Sequence, residues 1–318
     1  MKSDPFTYES KQGGHIFSYR WTPDSSVPIK GVVQIVHGMA EHARRYHDFA
    51  SFLVSKGYAV YANDLRGHGK TAGTAENFGY ISDSGGWNLM LDDIHQLTGI
   101  IQNEYPDVPN FLFGHSLGAI LSRGYIIRHK DSVQGVVLSS TGVVPEFIRM
   151  VALIIAKMEI LVKGKKARSQ LLTHLFFGSY NKTFKPNRTK FDWLSRDETE
   201  VDKYINDPEC GAIFTAGFYH DVLQGLKIIN DMENIRTLSQ GLPIYLLSGD
   251  KDPATVNGQG IIDVHNAYKE AGIADVTYQI YKDARHELLN EINKDEVYQD
   301  IINWLQAHNK NQHPSVTS

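Results

Sequence analysis

Short, almost continuously apolar runs, separated by longer amphipathic ones, most constrain what this chain can fold into. Residues 31–36, 58–62, 111–113, 133–138, 243–247 and 276–281 read as strands. Residues 46–56, 87–105, 119–129, 260–271 and 295–308 carry apolar side chains at helical spacing, as Phe49, Phe52 and Leu53 do in the first of them. A strand that is apolar on both faces must be covered on both. The alternation of strand and helix supplies that cover, so the pattern predicts a mostly parallel sheet with helices on both faces. Residues 6–8 and 15–21 flank Lys11-Gln12-Gly13-Gly14, which reads as an N-terminal β-hairpin.

The alternation stops after Leu138 and resumes at Pro243. Between them lie an apolar stretch (143–162), a basic stretch (164–190) and a mixed, mostly helical stretch (191–230), which together read as an inserted helical cap over the strand ends. The expected partition is a core over 1–142, a cap over 143–238, the rest of the core over 239–308 and a disordered tail over 309–318. A membrane span is not expected in the cap, because only Met150 to Ala156 separate Arg149 from Lys157 and a span needs about 20 apolar residues. A net charge of −4 argues against a nucleic-acid partner. The single cysteine, Cys210, cannot form an internal disulfide, and no apolar run follows the N-terminus. A cytoplasmic location is therefore expected, with no obligate protein partner evident.

Gly114-His115-Ser116-Leu117-Gly118 joins the strand-like 111–113 to the helix-like 119–129. A serine with glycines two before and two after, on so tight a strand-to-helix turn, has the form of a nucleophile elbow. A serine hydroxyl needs a base within hydrogen-bond reach, and the base needs an orienting carboxylate. In a sheet of this order those partners should follow in loops after later strands. Asp252 follows the 243–247 strand, with Asp250 as its rival; His286 follows the 276–281 strand, where Asp283 and Glu287 read as solvated neighbours. Oxyanion donors are expected from the amides of Leu117, beside the nucleophile, and Met39, in the loop His37-Gly38-Met39 after an early strand.

Three stretches together resemble the monoacylglycerol lipase and lysophospholipase branch of the α/β-hydrolases: His37-Gly38-Met39-Ala40-Glu41-His42 with Arg45-Tyr46, Asp64-Leu65-Arg66-Gly67-His68-Gly69, and the elbow. Ser195-Arg196, Glu200-Val201-Asp202-Lys203-Tyr204 and Asp207-Pro208 are similar to the cap of monoacylglycerol lipases. Lys70 departs from the pattern, since many relatives have serine there, and residues 144–190 match nothing position by position. The resemblance implies an α/β-hydrolase fold with an eight-stranded sheet and a serine esterase acting on acylglycerols or lysophospholipids. It also implies nucleophile Ser116, acid Asp252, base His286 and oxyanion donors Met39 and Leu117. No cofactor is implied.

Gly38, Glu41, His115, Phe147 and Met150 are the expected substrate-contacting residues, the last two as part of an acyl-binding or lipid-facing cap surface. Apolar residues beside Lys157, Lys163, Lys165, Lys166 and Arg168 have the composition of a segment touching an anionic membrane at the inner membrane face, and equally of a cap whose apolar residues pack onto the core while its lysines form a solvated face; the second reading stands slightly ahead, and both stay open. No metal is expected, because His37, His42, His47 and His68 lack a ligand-like pattern with Glu41 and Asp64; His37 reads as a fixing group of its loop, and Asp64 with Arg66 as a loop-stabilising pair. A serine aminopeptidase of the proline-iminopeptidase type, an acyltransferase and a non-catalytic receptor on the same fold are the alternatives.

Overall fold

The apolar runs become strands in the computed structural model, which describes residues 1–10 and 13–309. The strands are β1 (Lys2–Glu9), β2 (His15–Thr22), β3 (Gly31–Val36), β4 (Tyr58–Asn63), β5 (Asn110–His115), β6 (Gly135–Ser139), β7 (Ile244–Gly249) and β8 (Val276–Tyr281). They form one sheet in the order β1-β2-β4-β3-β5-β6-β7-β8. The pairs β1–β2 and β2–β4 are antiparallel and all others parallel. The expected hairpin is present, with Tyr8 opposite Ile16; part of its turn, Lys11-Gln12, lies outside the described residues.

The helices are α1 (His47–Ser55), α2 (Gly69–Ala72), α3 (Gly86–Glu104), α4 (Leu117–Arg128), α5 (Glu146–Lys163), α6 (Gln170–Phe177), α7 (Glu198–Asn206), α8 (Ala216–Asn230), α9 (Met232–Ile235), α10 (Gln259–Glu270) and α11 (Lys294–Ala307). Strand period two sends successive side chains to opposite faces. Phe111 and Phe113 of β5 therefore join Phe49 and Leu53 of α1 and Ile301 of α11 in one core. Leu112 joins Ile94 of α3, Leu121 of α4 and Val264 of α10 in the other. β3, β4, β5 and β6 are buried along their whole length, whereas the edge strand β8 exposes Thr277 to Gln279.

Helices α5 to α9 fill the excursion between β6 and β7. They do not form one detached lid. Along α8, Phe218, Leu223, Leu226 and Ile229 are buried in the same core as α3 and α4. The Trp87 indole fits between Gly124 of α4 and Gly225 of α8, where a Cβ on either glycine would collide with the ring. Helix α5 buries only Arg149, Ala152 and Ala156, and it packs on α8. Among the described residues, no helix is long and apolar enough to cross a membrane. At the other end of the chain Asn309 is buried and its amide donates to the Lys30 carbonyl (2.7 Å), so the expected disordered tail does not begin there; residues 310–318 lie outside the described residues.

Candidate active site

Ser116 stands alone between the end of β5 and the start of α4, with φ 53° and ψ −115°. Backbone of this kind costs about 1–3 kcal/mol in a non-glycine residue and persists where its surroundings enforce it. The flanking glycines do so. A Cβ on Gly114 would lie 2.5 Å from the Gly118 carbonyl oxygen, and one on Gly118 would run into the Val36 carbonyl of β3. The Ser116 amide donates to the Ser139 carbonyl at the end of β6 (2.9 Å), fixing the turn across the sheet.

Asp252 and His286 follow β7 and β8, and the three side chains form a continuous chain. His286 Nε2 lies 3.0 Å from Ser116 Oγ, and Nδ1 lies 3.0 Å from each carboxylate oxygen of Asp252. Burial alone would lower the His286 pKa, but the Asp252 charge and hydrogen bond outweigh it and raise the value above 6.5. Burial would likewise raise Asp252; the imidazole, with the Ala254 amide and Ser140, holds it below 3.8 instead. Asp250, the rival acid, is directed elsewhere: its Oδ1 accepts the Asp283 amide (2.7 Å) and so shapes the loop before His286. The Ser140 hydroxyl donates to the His286 carbonyl (2.7 Å), and the Trp193 ring lies 4.9 Å from the His286 ring. No local pattern marked Ser140 or Trp193; one sits just past a strand and the other in the cap.

The loop after β3 is held by buried charge. Glu41 was expected to touch substrate, but its oxygens are engaged within the protein. Oε1 accepts the Gly38 amide (2.6 Å) and the Tyr46 hydroxyl (2.8 Å), and Oε2 accepts Arg45 (2.7 Å). It holds the loop after β3. Glu287 was expected in solvent and is instead buried, taking both Arg45 nitrogens at 2.7 Å. Burial raises Glu41, and the charge of Glu287 adds to that rise against Arg45. Glu287 is pulled the other way: burial would raise it, and Arg45 holds it well below 4.5. The expected Asp64–Arg66 pair is also replaced. Asp64 accepts the Ala43 and Lys70 amides (2.9 and 2.8 Å), while Arg66 Nε pairs with Asp93 (2.6 Å). His37 fixes its loop as expected, donating from Nδ1 to the Gly38 carbonyl (2.8 Å) and accepting the Leu65 amide at Nε2 (2.9 Å).

Met39 and Leu117 both border Ser116. Leu117 is the first residue of α4, so its amide has no carbonyl behind it in the helix. Two cavities open beside the serine, sharing Met39, Ser116, Phe177 and His286. One, of about 140 Å³, is walled by aliphatic and aromatic groups such as Ile120, Val144, Val222 and Leu223. The other, of about 340 Å³, adds polar groups: Thr173, Lys190, Trp193 and Tyr204. Gly38, Glu41 and His115 line the larger cavity, where burial and the neighbouring His286 lower the His115 pKa to about 3 and keep it neutral. Phe147 and Met150 do not reach either cavity. They are 75% and 50% exposed on α5, because the helix turns its alanines inward and these side chains outward. Phe176 of α6 and Phe218 and Tyr219 of α8 take the place expected for them.

Among the described residues, one group of possible metal donors has its atoms within 4.8 Å of one another: His42, Asp207 and Cys210. His42 Nε2 already bonds the Asp207 carboxylate (2.9 Å), and burial pushes the Cys210 thiol up, away from the thiolate a metal would need. His42–Asp207 thus fastens the loop after β3 to the cap.

Residues 27–293 match the family model described as serine aminopeptidase, S33. The chain is similar to a monoacylglycerol lipase of Mycolicibacterium smegmatis, with 28% identity over 91% of each chain. It is similar to the monoglyceride lipase of Mus musculus, with 29% identity over 92% of this chain and 87% of that one. A highly thermostable carboxyl esterase from Bacillus coagulans, solved in complex with glycerol, superposes with a TM-score of 0.89 at 30% identity, covering 97% of this chain and 99% of the other. With the elbow, the sheet order and the extent of these matches, the chain belongs to the serine aminopeptidase, S33 family of α/β-hydrolases, in its monoacylglycerol lipase branch.

Proposed function

We propose that this carboxylic ester hydrolase cleaves monoacylglycerols and related acylglycerol esters, with Ser116 as nucleophile, His286 as base and then acid, and Asp252 as the orienting carboxylate. The observation that carries this reading is the unbroken Ser116–His286–Asp252 hydrogen-bond chain at the junction of an apolar and a more polar cavity. Ser116 Oγ attacks the ester carbonyl while its proton passes to His286 Nε2. Asp252 holds Nδ1–H and so keeps Nε2 free to accept. The carbonyl oxygen becomes an alkoxide, stabilised by the Met39 and Leu117 amides. His286 then protonates the departing alcohol, leaving the acyl group on Ser116. Water enters, loses a proton to Nε2 and attacks the acyl carbon, and the same imidazolium returns the proton to Ser116 as the fatty acid leaves. The smaller, drier cavity suits the acyl chain and the larger one the alcohol half.

Amine-recognising peptidase chemistry fits less well. It needs an uncommitted carboxylate for a free α-amine, and both acids lining the larger cavity, Glu41 and Glu287, are bound to Arg45. Ser116→Ala is expected to fold normally, to abolish monoacylglycerol hydrolysis and to lose labelling by a fluorophosphonate. Undiminished turnover in that variant removes the assignment.

The outer face of α5 supports membrane contact as a second element of the proposal. Phe147, Ile154, Met158, Leu161 and Val162 are more than half exposed, and Lys157 and Lys163 lie on the same helix. A contiguous apolar face with basic residues beside it suits the surface of an anionic bilayer, where monoacylglycerols reside.

A further inference from the structure

The larger cavity is bordered by a turn that is fixed in detail except for one side chain. The Asp192 carboxylate accepts the Arg188 amide (2.7 Å), the Thr189 amide (3.0 Å) and the Thr189 hydroxyl. Thr189 Oγ1 in turn accepts the Phe191 amide (3.0 Å). Asn181 reaches in from outside, donating to the Thr189 carbonyl (2.7 Å) and accepting the Trp193 amide (3.0 Å). The far end is fastened to the loop of the base, since Leu194 accepts the Glu287 amide (2.7 Å). Residues 188, 189, 191 and 193 are therefore all tied down. Lys190, at the centre, is exposed to solvent where it lines the cavity at Ser116 and has no ion-pair or hydrogen-bond partner among the described residues.

The charges around it are already spent. Arg188 pairs with Asp202 (2.8 Å), Asp192 is consumed by its own turn, and Glu41 and Glu287 share Arg45. The cavity that would receive the alcohol half thus presents one uncommitted cation and no uncommitted anion. A lysine ammonium is a mobile point charge with three donors, suited to phosphate or carboxylate oxygens.

We infer that Lys190 is a specificity residue for esters whose alcohol half carries an anionic group, a phosphate or a carboxylate, within reach of the scissile bond. The inference rests on the ester-hydrolase reading above and on the larger cavity taking the alcohol. Lys190 makes no hydrogen bond to the serine or the base, so its effect should appear as discrimination between substrates and leave the chemistry intact.

The test compares kcat/KM for three esters of one short acyl chain, used below their aggregation threshold: 1-acylglycerol, 1-acylglycerol 3-phosphate and the monoacyl ester of glyceric acid. Lys190→Gln should lower kcat/KM roughly tenfold on the anionic esters, the scale of one lost charge-assisted hydrogen bond. It should lower kcat/KM on the neutral ester by a smaller factor, so that the ratio of anionic to neutral ester falls. Lys190→Arg should retain the preference, and added salt should erode it in the native protein. Loss on the phosphate ester alone, or on both anionic esters, supports the inference and identifies the anion. An equal change on neutral and anionic esters, or no change on any, overturns it. Failure of the folded native protein to hydrolyse the neutral ester would instead remove the reading beneath it.

Discussion

The loops at the carboxyl ends of β3, β5, β7 and β8 and the outer face of α5 meet the same solvent but are built on opposite terms. In the loops almost every polar atom has a partner inside the protein: Glu41 serves Gly38, Tyr46 and Arg45, and Asp252 serves His286 and Ala254. On α5 large apolar side chains meet no partner, and Leu161 is 80% exposed. A surface whose charged and polar groups are committed to one another has one working geometry and fails when a group is removed. A surface whose large apolar groups are uncommitted costs little to change and is free to meet something outside the molecule.

Substitutions should separate the two regions by the size of their effects. Asp252→Asn should lower kcat about 10⁴-fold, as expected when the base loses its productive tautomer. In the native protein the base must be neutral to accept a proton, so kcat/KM should fall as pH drops through a midpoint above 6.5, the ordinary value that Asp252 raises. Without the carboxylate, burial dominates and that acid limb should move to lower pH. The sign for stability follows from linkage. The raised histidine contributes below pH 6.5 and loses its contribution as pH rises through its folded value. The lowered aspartate contributes above pH 3.8 and loses its contribution as pH falls through its folded value. The native protein should therefore exceed Asp252→Asn in stability most between those two values, a difference that urea titrations across pH would show.

Gly118→Ala places a methyl group on the Val36 carbonyl and should destabilise the fold by about 4 kcal/mol or prevent its assembly. Glu287→Gln weakens a buried, charge-assisted pairing, for which a loss of about 2–3 kcal/mol in urea unfolding is expected. Because Arg45 also holds Glu41, the same variant should lower kcat/KM through a loosened oxyanion loop. At the small end, Leu161→Ser with Val162→Ser should move stability by no more than about 0.5 kcal/mol. That pair should nevertheless reduce co-sedimentation with anionic vesicles. Unchanged vesicle binding would show that the exposed face of α5 is not a membrane contact, and a large loss of stability would show that it is not free.

The parts legible in the sequence were those with a local signature. Buried strands announce themselves by continuous apolar runs, and the elbow by glycines whose spacing only a tight turn requires. Asp252 and His286 could be found because they follow strands that could be found. Arg45–Glu287 had no such signal, since its partners are 242 residues apart and meet only when the sheet is assembled. Asp64 and Arg66 are close in sequence, which suggested a pair, but their side chains leave the loop toward the Ala43 amide and Asp93. Phe147 and Met150 misled for another reason. Helix α5 is apolar around much of its circumference, so hydrophobicity alone does not say which face turns inward. Small size decided it: Ala152 and Ala156 let the helix approach α8, which aimed the large side chains outward.

The tryptophan between Gly124 and Gly225 decides which part of the cap moves with the core. With its ring seated in both helices, α8 is keyed to α4, and Thr215 bolts its first turn to the Gly79 carbonyl as well as capping the Phe218 amide. Helix α8 therefore belongs mechanically to the core: the chain that leaves the sheet after β6 is back on it at Thr215, well before β7 begins.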